Sequence, residues 1–162
     1  MFATFDHAGY SIKNYKECQG RDGYAFSLTL YKDNKRILSV ENSGCGGCNR
    51  YHAILPKGTK PEVIGKTKRK RVAKLLETAM NVLESNYIEA HDQFIEQLIN
   101  DMLNERRLKR FCKKQTLFRL TGDENSYRRI NKVYTPAVAV QLRNQAKIQG
   151  TEVIEILNEK LG

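Results

Sequence analysis

The sequence predicts an α+β fold, and three patterns in it support that class. Alternating apolar residues occupy the first third of the chain, two helical stripes occupy the middle, and short strand patterns surround a helix in the last third. A length of 162 residues suits one domain with its own core. We therefore expect a single domain, 1–162, with a β-rich region at 1–55, a central antiparallel helical hairpin at 66–113 and a C-terminal β-β-α-β region at 115–162.

A β-hairpin forms the centre of the first region. Residues 10–18 predict a strand, and Leu28 and Leu30 alternate with small or polar residues, as in a half-buried second strand. The dipeptide Asp33-Asn34 suits the positive-φ positions of a tight turn. A third strand then returns along the second.

The loop that follows, residues 43–52, is rich in glycine. Three glycines lie within four positions, and glycine is needed where a backbone turns left-handed or approaches another group closely. We expect Gly46 or Gly47 to hold a positive φ or to contact another backbone. The predicted functional loop consists of Gly44, Gly46, Gly47, Cys48 and Asn49.

The same loop has the spacing of a metal knuckle. Cys45 and Cys48 form a C-x2-C pair, His52 follows at C-x3-H, and Cys18 on the neighbouring strand supplies a fourth candidate for a Cys3His zinc site. A single C-x2-C pair also suits an ordinary bulged turn, so zinc and no cofactor both stay open. A nucleophilic Cys48 assisted by His52 is a further alternative.

Two amphipathic helices are predicted in the middle of the chain. Apolar residues recur at helical spacing, and we expect the first helix to begin near Thr67, after a connector that runs through Pro61. A break at 85–87 separates it from a second helix from about His91 to Cys112. Because the link is short, the two helices should form an antiparallel hairpin.

The last region is predicted to contain a strand pair, a helix and a final strand. Residues 116–130 read as two strands joined by a turn at 122–125. Thr135-Pro136 suits an N-cap followed by the first helical position, and Gly150 suits the left-handed end of that helix. Residues 151–157 predict a last strand, and its nearly continuous apolar pairs, Val153-Ile154 and Ile156-Leu157, predict an interior position.

Positive charge is the strongest compositional signal. The formal net charge is +10 and the pI is near 9.5, which favours an anionic partner. No lysine or arginine occurs from Leu75 to Glu105, where seven carboxylates lie instead. An antiparallel hairpin would bring the flanking clusters to one end, which we term the basic pole. The basic pole consists of Lys66, Lys68, Arg69, Lys70, Arg71, Lys74, Arg106, Arg107, Lys109, Arg110, Lys113 and Lys114.

The first cluster is expected to lie at a helix N-terminus, where cations oppose the helix macrodipole. An electrostatic cost of this kind that brings no gain in stability indicates a functional reason for the cations. A bound phosphate backbone would offset the repulsion between them. The favoured interpretation is therefore a non-enzymatic protein that binds nucleic acid through the basic pole. The alternatives from the residues alone are a protein that docks on an acidic partner protein, a zinc-stabilised loop protein, and a solvated basic surface without a partner.

Other functional classes find no support in the sequence. No catalytic or phosphate-loop motif occurs, so we expect no enzyme. No apolar run reaches the roughly 18 residues of a membrane span, so we expect no membrane partner. Residues 1–6 lack the basic and apolar regions of a secretory signal, which favours a cytoplasmic protein with reduced cysteines.

Two segments carry a resemblance to a family. The two-strand unit that ends in Gly44-Cys45-Gly46-Gly47-Cys48-Asn49, together with the later Leu117 to Asp123 and Tyr134-Thr135-Pro136, resembles a family of small phage and plasmid proteins. That resemblance implies a bacterial host cytosol and a small phage-type accessory protein that modulates host or defence machinery by binding. It also implies the alternative of an anti-defence or host-takeover inhibitor that docks on a host protein, at an acidic or nucleic-acid-binding surface. It implies no enzymatic activity.

Overall fold

The structure is a computed structural model that describes residues 7–123 and 126–161. It has the predicted α+β fold, with helices and antiparallel sheets. The described residues form two compact units, which we term the N-terminal unit (7–102) and the C-terminal unit (103–161). This boundary lies inside a helix, away from the divisions predicted from the sequence, and the single domain stays a prediction. None of the described helices combines the length and the apolar character needed to cross a bilayer.

Four antiparallel strands form the sheet of the N-terminal unit. They are β1 (Tyr10–Gln19), β2 (Tyr24–Lys32), β3 (Lys35–Asn42) and β4 (Arg50–Ala53). Their order is β1-β2-β3-β4, so β1 and β4 are the edge strands. Between β2 and β3, Asp33 and Asn34 have φ values of 48° and 62°, which confirms the predicted tight turn.

The sequence analysis did not predict β4 and assigned all of residues 43–52 to a loop. The loop is shorter and ends at Asn49, because the next four residues pair with β3. A strand of four residues with only two inward side chains gives a weak periodic signal.

The helices α1 (Pro61–Val82) and α2 (Ala90–Cys112) follow, and the second matches its predicted range closely. In the N-terminal unit, Leu75 of α1 and Phe94 of α2 are completely buried, as are the inward strand residues Leu30 and Leu38. The ring of Phe94 meets that of Tyr10 edge to face at 5.6 Å. These contacts place the apolar core on one face of the sheet, which we term the inner face.

The predicted start of α1 near Thr67 is wrong. The helix begins at Pro61, with Lys60 as an extended N-cap, because proline is well suited to the first helical position. The first basic cluster therefore begins in the second helical turn. Since the macrodipole acts within the first turn, the predicted electrostatic cost at the helix start does not apply to most of these cations.

The C-terminal unit contains a three-stranded antiparallel sheet with a helix packed on it. Its order is β6-β5-β7, and Phe118, Leu120, Ala139, Ala146 and Ile156 form its core. The elements are β5 (Thr116–Leu120), β6 (Arg128–Ile130), α3 (Pro136–Ile148), β7 (Val153–Ile156) and α4 (Asn158–Leu161). The β-β-α-β prediction is confirmed, and the short α4 was not predicted. Residues 124–125 of the predicted turn lie outside the described residues.

Both ends of α3 agree with the prediction from the sequence, whereas the position of β7 in its sheet does not. The Thr135 hydroxyl accepts the Val138 N–H at 3.2 Å, and Gly150 has a φ of 71°, which confirms both predicted helix ends. The interior position predicted for the last strand is wrong, because β5 is central and β7 is an edge. Ile154 is accordingly half exposed, and the buried Leu157 lies just beyond the strand.

Candidate functional site

An open groove lies between the free edge of β4 and the first half of α1. It encloses about 570 Å³. Four of its eight lining residues are basic, four are neutral, and none is a carboxylate. We term it the β4–α1 groove, and it is lined by Asn49, Arg50, Tyr51, His52, Lys68, Arg69, Val72 and Ala73.

The register of β4 decides what this strand presents to the groove. Arg50 pairs with Glu41 and His52 pairs with Ser39, so both basic side chains project from the outer face of the sheet, where both are exposed. Tyr51 lies between them, projects inward and is only 5% exposed. Its contribution to the groove is therefore mainly its backbone.

The backbone of β4 adds hydrogen-bonding groups to the edge. The Ile54 N–H donates to the Ile37 carbonyl at 3.2 Å, which makes Leu38 and Ala53 a pair without mutual hydrogen bonds. The amide and carbonyl of Ala53 therefore face away from β3, as do those of Tyr51 two positions earlier. No other strand within residues 7–123 and 126–161 pairs with this edge.

The opposite wall comes from one face of α1. Lys68, Arg69, Val72 and Ala73 are related by helical spacing, so they lie side by side. Lys68 and Arg69 are exposed. In the described part of the chain, neither of them nor Arg50 has a carboxylate within ion-pair distance. The groove thus collects positive charge that the N-terminal unit does not neutralise.

The other members of the first basic cluster have different positions. The Arg71 guanidinium donates to the backbone carbonyls of Ile37 at 2.5 Å and Ile54 at 3.1 Å, so it ties α1 to the sheet. Its predicted role as an external anion site is replaced by this structural one. The exposed Lys66, Lys70 and Lys74 do not line the groove.

Gly44 fixes the start of the glycine loop against the turn between β1 and β2. This residue is buried with a φ of 65°, and a Cβ there would lie 2.6 Å from the Ala25 nitrogen. Its N–H donates to the Asn42 side chain at 2.8 Å, and its carbonyl accepts the Asp22 N–H at 2.8 Å. Gly46 has a φ of 76° with open space around it, which confirms the positive φ predicted for that part of the loop.

The start of β4 is also anchored to the first turn of α2. The Asp92 carboxylate accepts the Asn49 N–H at 3.1 Å and the Tyr51 hydroxyl. Burial, and then the hydrogen bond to Asp92, raise the pKa of Tyr51 far above its ordinary value. Tyr51 is therefore a permanent donor, and this bond fixes the strand that carries Arg50 and His52.

The predicted zinc site is not assembled. Within the described ranges, no cluster of three or more His, Cys, Asp or Glu residues is placed to hold a metal. His52 projects from the outer face, Cys48 donates to the Glu89 carboxylate at 3.0 Å, and Cys45 donates to the Ser43 carbonyl at 3.5 Å. The hydrogen bond to Glu89 raises the pKa of Cys48. The thiolate is the nucleophilic form of cysteine, so this contact works against a nucleophilic Cys48.

The second basic cluster belongs to the C-terminal unit. In it, Lys109 forms an ion pair with Glu105 at 2.6 Å, an ordinary contact between successive helical turns. The exposed Arg106, Arg107, Arg110, Lys113 and Lys114 have no ion pair within residues 103–123 and 126–161. Because the two basic clusters lie in different units, the basic pole stays a prediction.

The glycines of the loop line a different groove. This groove encloses about 420 Å³ and includes Gly44, Gly46 and Gly47 together with Asp22 and Glu96. Its carboxylates make it unsuitable for a polyanion. Loop residue Asn49 instead lines the β4–α1 groove.

Arg50 lines the β4–α1 groove, and the sequence analysis did not select it as a candidate. The only available signal was the alternation of Arg50, Tyr51, His52 and Ala53, which is the period-2 pattern of a short strand. Comparison of the chain with protein-family models, curated proteins and solved structures found no match. The geometry of the groove is therefore the basis for a functional proposal.

Proposed function

We propose that the N-terminal unit binds nucleic acid through phosphate contacts in the β4–α1 groove. The observation that supports this proposal is the convergence of Arg50 and His52 from β4 with Lys68 and Arg69 from α1 around a groove without carboxylates. Clustered cations that lack acidic partners are the electrostatic footprint of a phosphate backbone.

The edge of β4 supports phosphate binding in a second way. The N–H groups of Tyr51 and Ala53 face this edge, and backbone amides are common phosphate donors in protein–nucleic acid complexes. Val72 and Ala73 add apolar surface on the opposite wall. Such contacts position a strand without reading its sequence.

The test is binding of labelled DNA and RNA by fluorescence anisotropy, at salt concentrations between about 50 and 200 mM. We expect the double variant Lys68→Gln/Arg69→Gln to weaken binding and to reduce the log–log salt slope by about 1.5, because two phosphate contacts are lost. The thermal unfolding curve should not change, since both side chains are exposed. The control is Lys132→Gln/Lys147→Gln, which removes two exposed charges from the C-terminal unit.

Two results would overturn the proposal. One is an absence of binding by the parent protein at low salt, and the other is an unchanged slope in the groove variant. A third comparison addresses the protein-docking alternative, because an acidic polypeptide that displaces the nucleic acid at equal charge concentration would identify the groove as a general polyanion site. Arg106→Gln/Arg107→Gln tests whether the second basic cluster contributes.

A further inference from the structure

A shallow hollow lies on the outer face of the sheet, next to the β4–α1 groove. It encloses about 440 Å³. A single cross-strand row supplies four of its residues, because Lys16 pairs with Ser27, Ser27 with Glu41, and Glu41 with Arg50. Ala25 adds a second small side chain to its floor. We term this the outer-face hollow.

Three of the four residues in this row are charged, and their charges are available to a ligand. Lys16, Glu41 and Arg50 are exposed, and within residues 7–123 and 126–161 none of them forms an ion pair or a side-chain hydrogen bond. Neighbouring strands lie about 4.8 Å apart, so Lys16 and Glu41 stand about 10 Å apart across the small Ser27. That spacing leaves room for one planar ring between a donor and a carboxylate.

Arg50 links the hollow to the groove, since it lines both. A strand whose phosphates lie in the β4–α1 groove therefore passes directly beside the hollow at Arg50. The groove contains only positive and neutral residues, whereas the hollow adds the carboxylates Glu17 and Glu41, of which Glu41 lies directly beside Arg50 in the row. Phosphate repels a carboxylate, but the amino and imino groups of a base donate hydrogen bonds to one.

We propose that the outer-face hollow is a nucleobase subsite that selects guanine in a single strand whose phosphates occupy the β4–α1 groove. This inference rests on the proposed function. Guanine offers two adjacent N–H donors on its Watson–Crick edge, which suit a bidentate contact with the Glu41 carboxylate. The guanine acceptors O6 and N7 suit Lys16, because lysine and arginine bind the same two atoms in protein–DNA complexes. Thymine and uracil offer a single N–H between two carbonyls.

A single strand fits this arrangement better than a duplex. Duplex grooves receive a projecting helix or β-ribbon, whereas both sites here are concave. A base must also be unpaired and turned away from its neighbours to present its Watson–Crick edge. The subsite accordingly excludes a base-paired guanine.

The experiment compares two short oligomers of about 12 nucleotides by anisotropy. One is oligothymidine, and the other is the same strand with one central guanosine. Parallel arms use the oligouridine equivalents, to separate DNA from RNA, and a duplex with the same guanosine. We expect the guanosine strand to bind about tenfold more tightly than its parent, as one bidentate base contact provides.

Glu41→Gln should remove that preference and leave oligothymidine binding unchanged or slightly tighter. The matched control is Glu77→Gln, an exposed carboxylate on α1 that lines neither site, and it should retain the preference. Equal affinities of the two single strands, an intact preference in Glu41→Gln, or duplex binding as tight as that of the guanosine strand would each overturn the subsite. Those results would leave the groove proposal standing, whereas an absence of binding to every oligomer would overturn both.

Discussion

Two groups of positive charges, one in each unit, have opposite surroundings. In the β4–α1 groove, Arg50, Lys68 and Arg69 have no acidic partner among the described residues. In the C-terminal unit, Arg119 and Lys160 lie against one carboxylate, that of Glu155, at 3.8 and 2.6 Å. The same residue types therefore give an open cationic surface at the groove and a carboxylate-centred cluster around Glu155.

The pKa of Glu155 shows how strongly its neighbours stabilise the ionised carboxylate. Burial raises the pKa of Glu155, but hydrogen bonds from Lys160 at 2.6 Å and Tyr127 at 2.9 Å outweigh burial and lower that pKa to about 2. Burial and the bond to Glu155 raise the pKa of Tyr127 to about 12. Net charge alone thus does not distinguish an open cationic surface from a cluster that already contains a carboxylate.

The largest expected effect compares one glycine in each unit. Gly44 and Gly150 have φ values of 65° and 71°, but a Cβ at Gly44 would clash with the backbone and a Cβ at Gly150 would meet open space. We expect Gly44→Ala to lower the free energy of unfolding by about 3 kcal/mol or more, and Gly150→Ala by about 1 kcal/mol. Chemical denaturation measures both. Equal losses would show that the loop relaxes and that the frame of the groove is not rigid.

The second largest expected effect tests the cluster around Glu155. Glu155→Gln should cost about 2–3 kcal/mol near neutral pH, because it leaves the nearly buried Arg119 without its counter-charge. Since the pKa of folded Glu155 lies below the ordinary 4.5, its contribution is present above pH 4.5 and is lost as the pH falls toward 2. The parent and the variant should therefore converge in stability over that range. A difference that does not change with pH would show that the ionisation of Glu155 does not contribute to stability.

A smaller effect separates two neighbours in the first basic cluster. Arg71→Gln should destabilise the N-terminal unit by about 2 kcal/mol, because two backbone carbonyls lose a charged donor. Lys70→Gln, an equal change of charge at an exposed position, should change stability by less than about 0.5 kcal/mol. Similar losses from both would contradict the assignment of Arg71 as structural.

The smallest effect concerns the Cys48 thiol. Replacing Glu89 with glutamine removes the carboxylate that raises the pKa of Cys48. Alkylation of Cys48 at mildly alkaline pH should then become a few-fold faster, because the thiolate is the reactive form. Mass spectrometry can follow Cys48 and Cys45 in the same sample, so Cys45 serves as the internal control. An unchanged rate at Cys48 would show that this contact does not persist in solution.

The sequence predicted those parts of the fold that depend on the backbone preferences of neighbouring residues. Asp33-Asn34 and Thr135-Pro136 act through their own backbone preferences, so their turn and helix start were found without tertiary information. Pro61 carried the same kind of signal, but the weaker apolar pattern after it led to a start six residues too late. The edge position of β7 depends on which strand pairs with β5, and apolar content does not determine that choice.

The candidate site was predictable only in part. Lys68 and Arg69 were selected because of their charge, but Arg71 was selected for the same reason and has a structural role. Arg50 and His52 reach the groove because four residues pair with β3, which is a tertiary event. The absence of carboxylates from the groove also depends on packing, since seven acidic residues follow closely in the sequence.

The free edge of β4 also has a consequence for self-association. An unpaired strand edge is a template on which a second copy can add, and charged side chains are a common defence against that addition. Arg50 and His52 on the strand, with Lys68 and Arg69 across from it, keep like copies apart by repulsion. Screening by high salt, or replacement of all four side chains together, should therefore expose this edge to edge-to-edge pairing with a second copy, so we expect the charges proposed to hold a polyanion to protect solubility as well.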